Sequence, residues 1–322
     1  MKVEDIEHIV APRLEADVKA LYIELRFGGN TNPAEMRSND SVIFVHWFKV
    51  FFEYVQEWKM LIFATNDADL SFWCNEFKKA YISAQLKLKH NCLGFDNESP
   101  QEIKALIESI LEVLISLFRS TGFMEQIHKA NNAYAKTIER YNDAYIEATK
   151  CSVDAIDLKF YLQISDRLDR YYSITELGPL LARFNKGIQK QAWYKSTVLL
   201  QYYHIVRDST RNKYVIRFYL TCHNAFYNPT IDYAGLVLKQ WQAETHYSGE
   251  LLELSEYSNT GDKFNPFNFE DDDIFPYEEP MNPLDDLSSL PDSLTSMKYG
   301  KNQICISAKG VPYLGFRSHV KT

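Results

Sequence analysis

Glycine and proline are scarce in this chain, 12 and 11 of 322 residues. That scarcity excludes a collagen-like or low-complexity architecture, and no internal repeat is found. The five cysteines (Cys74, Cys92, Cys151, Cys222 and Cys305) are odd in number and include no CxxC pair. They suggest neither a disulfide framework nor a zinc knuckle, and they fit a reducing cytoplasm. No Walker loop, GxGxxG, GxSxG or HExxH occurs, so the common signatures of nucleotide, hydrolase and metalloprotease chemistry are missing. The N-terminus MKVEDIEHIVAPRLEAD has acidic residues from its fourth position and no apolar core of signal-peptide length. The most hydrophobic stretch, Ser41 to Thr65, holds Lys49, Glu53, Glu57 and Lys59 at mostly four-residue steps. Such steps give one polar helix face rather than a membrane span. A cytoplasmic protein without a membrane or cofactor requirement is expected.

What is present is a large apolar and aromatic fraction, 46% hydrophobic with 21 Tyr and 20 Phe, sufficient for a sizeable core. The net charge of −8 hides an uneven distribution. Residues 181 to 245 hold nine Lys/Arg against three Asp/Glu, residues 246 to 298 two against thirteen, and residues 299 to 322 four against none. The overall sum argues against a nucleic-acid partner, but the local balance leaves a basic surface for one.

Residues 1 to 150 read as a helical bundle. Helical periodicity predicts helices over Asp5 to Phe27 with a break near Pro12, Ser41 to Thr65, Asp69 to His90, Pro100 to Thr121 and Met124 to Thr149. Ser99, Pro100 and Glu102 have the spacing of a capping box with proline in the first turn. No strand signal appears in this half. The pattern changes after Cys151. Leu158 to Ile164 is a β-prone run, Thr175 to Lys190 an amphipathic helix, and Asp232 to Glu244 a second helix. Between them lies a hairpin, with strands over Thr197 to Val206 and Tyr214 to Cys222 around the turn-forming Asp208 to Asn212. Strand, helix, hairpin, helix is the order of a ferredoxin-like split βαβ sheet, so the fold class is α+β with a second domain over 151–322. Asn259 to Asp292, with Glu270 to Asp273 and Pro266, Pro276, Pro280 and Pro283, reads as a long irregular acidic insert, and Gln303 to Ser307 as a last short strand before a basic tail.

The run ITELGPLLARFNKGIQKQAWYKSTVLLQYYHIVRD, the second strand, the loop HNAFYNP, the helix YAGLVLKQWQAET and the closing DSLTSMKYGKNQICISAKGVPYLGFRSH carry a resemblance. Residues 155 to 322 resemble the inovirus gene-two protein family, the replication-initiator-like group with the YagK/YfjJ-type C-terminal domain. The resemblance implies a protein of a prophage or mobile element. In that family the second hairpin strand carries two histidines that bind a divalent metal, and a later tyrosine with a nearby lysine attacks the DNA backbone. Here the corresponding triplet is Val215-Ile216-Arg217, with no metal ligand, and Ser293-Leu294-Thr295-Ser296 stands where the tyrosine segment is expected, leaving Tyr299, Lys298 and Lys301 as displaced substitutes. Nucleic-acid binding with loss of metal-dependent nicking is therefore expected, with no metal bound and no catalytic residue assigned. An active nicking enzyme with a rearranged site is one alternative. A protein-interaction or regulatory factor acting through the helical domain is another.

Lys186, Lys190, Lys195, Arg207, Arg211, Lys213 and Arg217 surround the hairpin and interleave with Trp193, Tyr194, Tyr202, Tyr203 and Tyr214. Cations neutralise phosphates while rings stack on unpaired bases, so this mixture suits single-stranded or distorted DNA. The other reading is a solvated hairpin whose rings are core, since period-two alternation turns some of them inward in either case. His204, His223 and His246 fall on separate elements and read as surface or hydrogen-bonded imidazoles. His8, His46 and His128 read as structural. The thirteen acidic residues of 246 to 298 are expected to compete with nucleic acid for the basic surface.

Overall fold

A computed structural model describes residues 2–27, 42–64, 68–88, 99–152, 154–165, 171–208, 213–252, 305–312 and 314–320. The acidic insert 259–292, the turn residue Arg211, and Lys298, Tyr299 and Lys301 lie outside the described residues. The chain divides into two compact units, Met1–Lys136 with Cys305–Lys309, and Thr137–Ile304 with Gly310–Thr322.

The first unit is built from α1 (Val3–Asp5), a π-helical turn (Ile6–Val10), α2 (Ala11–Phe27), α3 (Val42–Glu53), α4 (Val55–Ala64), α5 (Phe72–Leu88), α6 (Pro100–Arg119) and the start of α7 (Phe123–Cys151). Pro12 does not break the first helix. Its ring clashes with a carbonyl one turn earlier, and the wider π turn just ahead of it absorbs the misfit. The single helix expected over Ser41 to Thr65 is two. Trp58 Nε1 donates to the Phe51 carbonyl at 2.8 Å, occupying the acceptor that an unbroken helix offers to the Val55 amide. Ser99 forms the expected capping box, its Oγ accepting from the Glu102 amide at 3.3 Å while the Glu102 carboxylate accepts from the Ser99 amide at 2.7 Å. Aromatic rings fill the core: Tyr22 packs on Trp73, Phe118 and Phe123, and Trp58 on Phe77 and Tyr81.

One expectation for this half fails. A strand, β1 (Ala68–Leu70), precedes α5 and pairs antiparallel with β6 (Ile306–Ala308). Its partner lies far along the chain, and three residues carry too little periodicity to betray a strand locally.

The second unit is an antiparallel sheet between helical layers. It runs through β2 (Ile156–Ile164), α8 (Ile174–Ile188), α9 (Ala192–Thr197), β3 (Val198–Asp208), β4 (Lys213–Cys222), a 3₁₀ turn (Asn224–Phe226), α10 (Tyr233–Glu244), β5 (Gly249–Leu251) and β7 (Leu314–Ser318). The spatial order is β5-β2-β4-β3-β7, every neighbouring pair antiparallel. It follows that β2 and β3 run parallel with β4 between them, and β4 and β5 parallel with β2 between them. The α+β class is thus realised as two interleaved βαβ units crossing over through α8 and α10. The edge strand β7 occupies what the sequence presents only as a basic tail.

Strand alternation gives the sheet two different faces. Phe218 on β4 meets Phe184 of α8 at 5.0 Å between ring centroids, and Phe184 meets Trp241 of α10 at 5.5 Å. Trp241 is fully buried, and its Nε1 donates to the Gln163 carbonyl at 2.8 Å. The opposite face receives the C-terminal half of α7 at one end, where Ala144 and Ala148 pack on Leu200 and Tyr141 lies 4.6 Å from Tyr202.

Candidate nucleic-acid interface

The basic residues grouped in sequence around the hairpin separate in space into two sets. Pro179, Arg183 and Lys186 follow one another at steps of three or four along the outer face of α8, with Lys190 in the turn just past its end, all four exposed, while Leu181, Phe184 and Ile188 point to the sheet. Lys195 is exposed on α9. Arg317 of β7 joins this set: it is exposed, and its guanidinium donates to Gln189 Oε1 at 2.6 Å, beside the C-terminus of α8. Arg183 is paired with Glu244 at 3.1 Å. Among the described residues no ion pair involves Lys186, Lys190, Lys195 or Arg317.

Arg217 and Lys213 belong elsewhere. Their odd positions on β4 put them on the face away from α8 and α10, where Arg217 is only 4% exposed. Arg217 therefore does not share a surface with Lys186, Lys190 and Lys195. The side chain of Arg207 lies outside the described residues.

That second face has its own order. Tyr161, Arg217 and His204 stand abreast across β2, β4 and β3. One step along, Lys159, Tyr219, Tyr202 and Phe316 form the next row, and Asp157, Thr221, Leu200 and Ser318 the one after. The rings of Tyr202 and Tyr219 lie parallel at 5.6 Å, and the Tyr161 and Tyr219 hydroxyls meet at 3.5 Å. Asp157 ties the sheet to α7, accepting from Thr221 Oγ1 at 2.7 Å and from the Tyr145 hydroxyl at 2.9 Å. Burial pushes the His204 imidazole down to about 3, with the Arg217 charge acting in the same direction. Burial also brings the Lys159 ammonium down to about 8, against the opposing pull of Asp157. Lys213 is lowered by burial too, and Glu250 opposes that. A neutral imidazole beside a guanidinium suits an acceptor or an anion rather than a cation.

Val215 and Arg217 both face this side of the central strand. Neither is a metal ligand, and among the described residues no three His, Cys, Asp or Glu side chains are grouped to hold a metal ion. His204, His223 and His246 are not brought together. His204 lies on β3, the His223 Nδ1 accepts from the Ala225 amide at 3.2 Å, and His246 is exposed in the turn after α10. No described helix is long and apolar enough to cross a membrane.

Two participants escape a reading by sequence clusters, Lys159 and Arg317. Alternation along β2 held the signal for the first, since it places Asp157, Lys159, Tyr161 and Gln163 on one face. For the second there is no local signal, because only pairing with β3 turns Arg317 toward α8. Compared with protein-family models, curated proteins and solved structures, the chain matches none.

Proposed function

We propose that the second unit is a nucleic-acid-binding module of the replication-initiator type, from a prophage or mobile element, in which metal-dependent strand nicking has been lost. The observation that carries the reading is the exposed cationic set Lys186, Lys190, Lys195 and Arg317 on the α8 side of the sheet, where Glu244 is already engaged by Arg183. Phosphates are the natural counterions of such a set. The loss of nicking is supported by the central strand, whose side chains at 215 and 217, both buried on one face of the sheet, are an aliphatic group and a guanidinium. Binding measured by fluorescence anisotropy over a salt series tests the first part. The affinity should fall steeply with salt, and the Lys186→Gln/Lys190→Gln/Lys195→Gln variant should flatten the slope by about two to three. A salt-independent or absent response sinks it. A Mn²⁺-dependent break in single-stranded DNA that is lost in Tyr299→Phe would restore the nicking enzyme instead.

A second reading rests on the first unit, a protein-interaction factor acting through its helices. Val42, Val45 and Phe52 on α3, and Ile82 and Leu86 on α5, are exposed apolar side chains. Cellular partners retained after nuclease treatment would favour it.

A further inference from the structure

We infer that α9 and the turn after β4 form a stacking platform for the bases of an unpaired nucleic-acid strand; this rests on the nucleic-acid reading above and deepens it. Phe226 is 60% exposed at the tip of the 3₁₀ turn. A single exposed phenylalanine is ordinary, but the backbone under this one is held by four hydrogen bonds. Its amide donates to the His223 carbonyl at 3.0 Å and its carbonyl accepts from Thr197 Oγ1 at 3.4 Å. The His223 amide donates to the Thr197 carbonyl at 2.8 Å, and the Asn224 amide to Ser152 Oγ at 3.0 Å. The His223 ring backs Phe226 at 4.8 Å between centroids. An exposed ring held this way meets a ligand with little ordering cost.

More rings stand beside it. Tyr227 stacks on Tyr233 at 5.1 Å and 15°, and Trp193 of α9 packs against Tyr233 at 5.5 Å. Trp193 and Tyr227 are half-buried, so each keeps part of its surface in solvent, and α9 also presents exposed Lys195. The nearby carboxylate of Asp232 is engaged, accepting from the Gly235 amide at 2.8 Å as the N-cap of α10. Aromatic faces beside a lysine without a described ion pair match bases joined by phosphates. A duplex hides its base faces in the stack, so the complementary ligand is an unpaired strand.

The test uses the full chain and labelled oligo(dT), oligo(rU) and a DNA duplex, each of about fifteen nucleotides. Either single strand should bind more tightly than the duplex. Phe226→Ala should weaken single-strand binding roughly tenfold or more with its salt slope unchanged, and leave duplex binding unchanged. Phe226→Trp should retain binding, which separates stacking from a folding defect, and Lys195→Gln should flatten the single-strand slope by about 0.7. Single-strand binding that survives Phe226→Ala at full strength overturns the platform while leaving the nucleic-acid function standing. Equal losses on single strand and duplex overturn it too. If the wild-type chain binds none of the three probes, both proposals fall together.

Discussion

His204 and Arg217 are register partners across β3 and β4, an imidazole and a guanidinium side by side on one face of the sheet. Burial and the neighbouring positive charge hold the folded imidazole near 3, against 6.5 for an unhindered ring. Well above 6.5 the ring is neutral whether the chain is folded or not, so pH has no leverage through it there. Below that, the unfolded chain takes a proton that the folded chain refuses, and stability falls as pH drops toward 3. The urea midpoint of the wild-type chain should therefore decline between about pH 7 and pH 5, and His204→Gln should decline less over the same interval. Parallel curves for the two proteins would show that the ring is not held neutral.

The serine-capped helices α6 and α8 give a stability test in each unit. Ser99 caps α6 and Ser173 caps α8, each accepting from the amide of a glutamate three residues on. Ser99→Ala and Ser173→Ala should each cost about 1 kcal/mol by denaturant titration. Aspartate at either position should restore most of it, since its carboxylate accepts the same amide.

Gly249 is required by contact rather than by backbone angle. A Cβ there falls 2.4 Å from the Trp241 indole and 2.6 Å from Thr245 Oγ1, and that indole is fully buried. Gly249→Ala should destabilise the second unit by about 1 to 3 kcal/mol, with the change visible in tryptophan fluorescence. An unchanged midpoint would mean that β5 shifts freely.

The turn after α10 should respond in the other direction. His246 and Tyr247 sit at φ 51° and 67°, in the left-handed region, and Tyr247 is 85% exposed. With the Tyr247 amide donating to the Gln242 carbonyl at 2.8 Å, this is a helix C-terminus of the kind usually closed by glycine. Tyr247→Gly loses almost no packing and should stabilise by roughly 0.5 kcal/mol or more, read as a rise in the thermal midpoint.

Much of the second unit was legible because its signals are local. The β-prone runs on either side of the turn-forming Asp208 to Asn212 mark β3 and β4, and helical periodicity places α8 and α10 within two residues of their ends. The rest depended on distant partners. Nothing near Ala68 or Leu314 announces a strand, since each acquires that conformation by pairing with residues far away. The break at Tyr54 depends on Trp58 reaching back for a carbonyl. The basic cluster divides between two surfaces because a place in the sequence cluster carries no parity: Lys195 rides a helix, and Arg217 sits on the far side of the sheet.

The pairing of β1 with β6 also sets a timetable for synthesis. Asp69 and Ser307 are register partners separated by 238 positions, so the strand that completes the first unit is translated after nearly all of the second. The two units interleave along the chain: Thr137–Ile304 of the second separates the two pieces of the first, and the second resumes at Gly310. While the ribosome works through that intervening stretch, the amides and carbonyls that β1 offers to β6 lack that partner, and a chain arrested before residue 305 leaves them without it. Quality control that senses unpaired strand edges would thus distinguish a finished chain from an unfinished one by its first unit, the part made earliest.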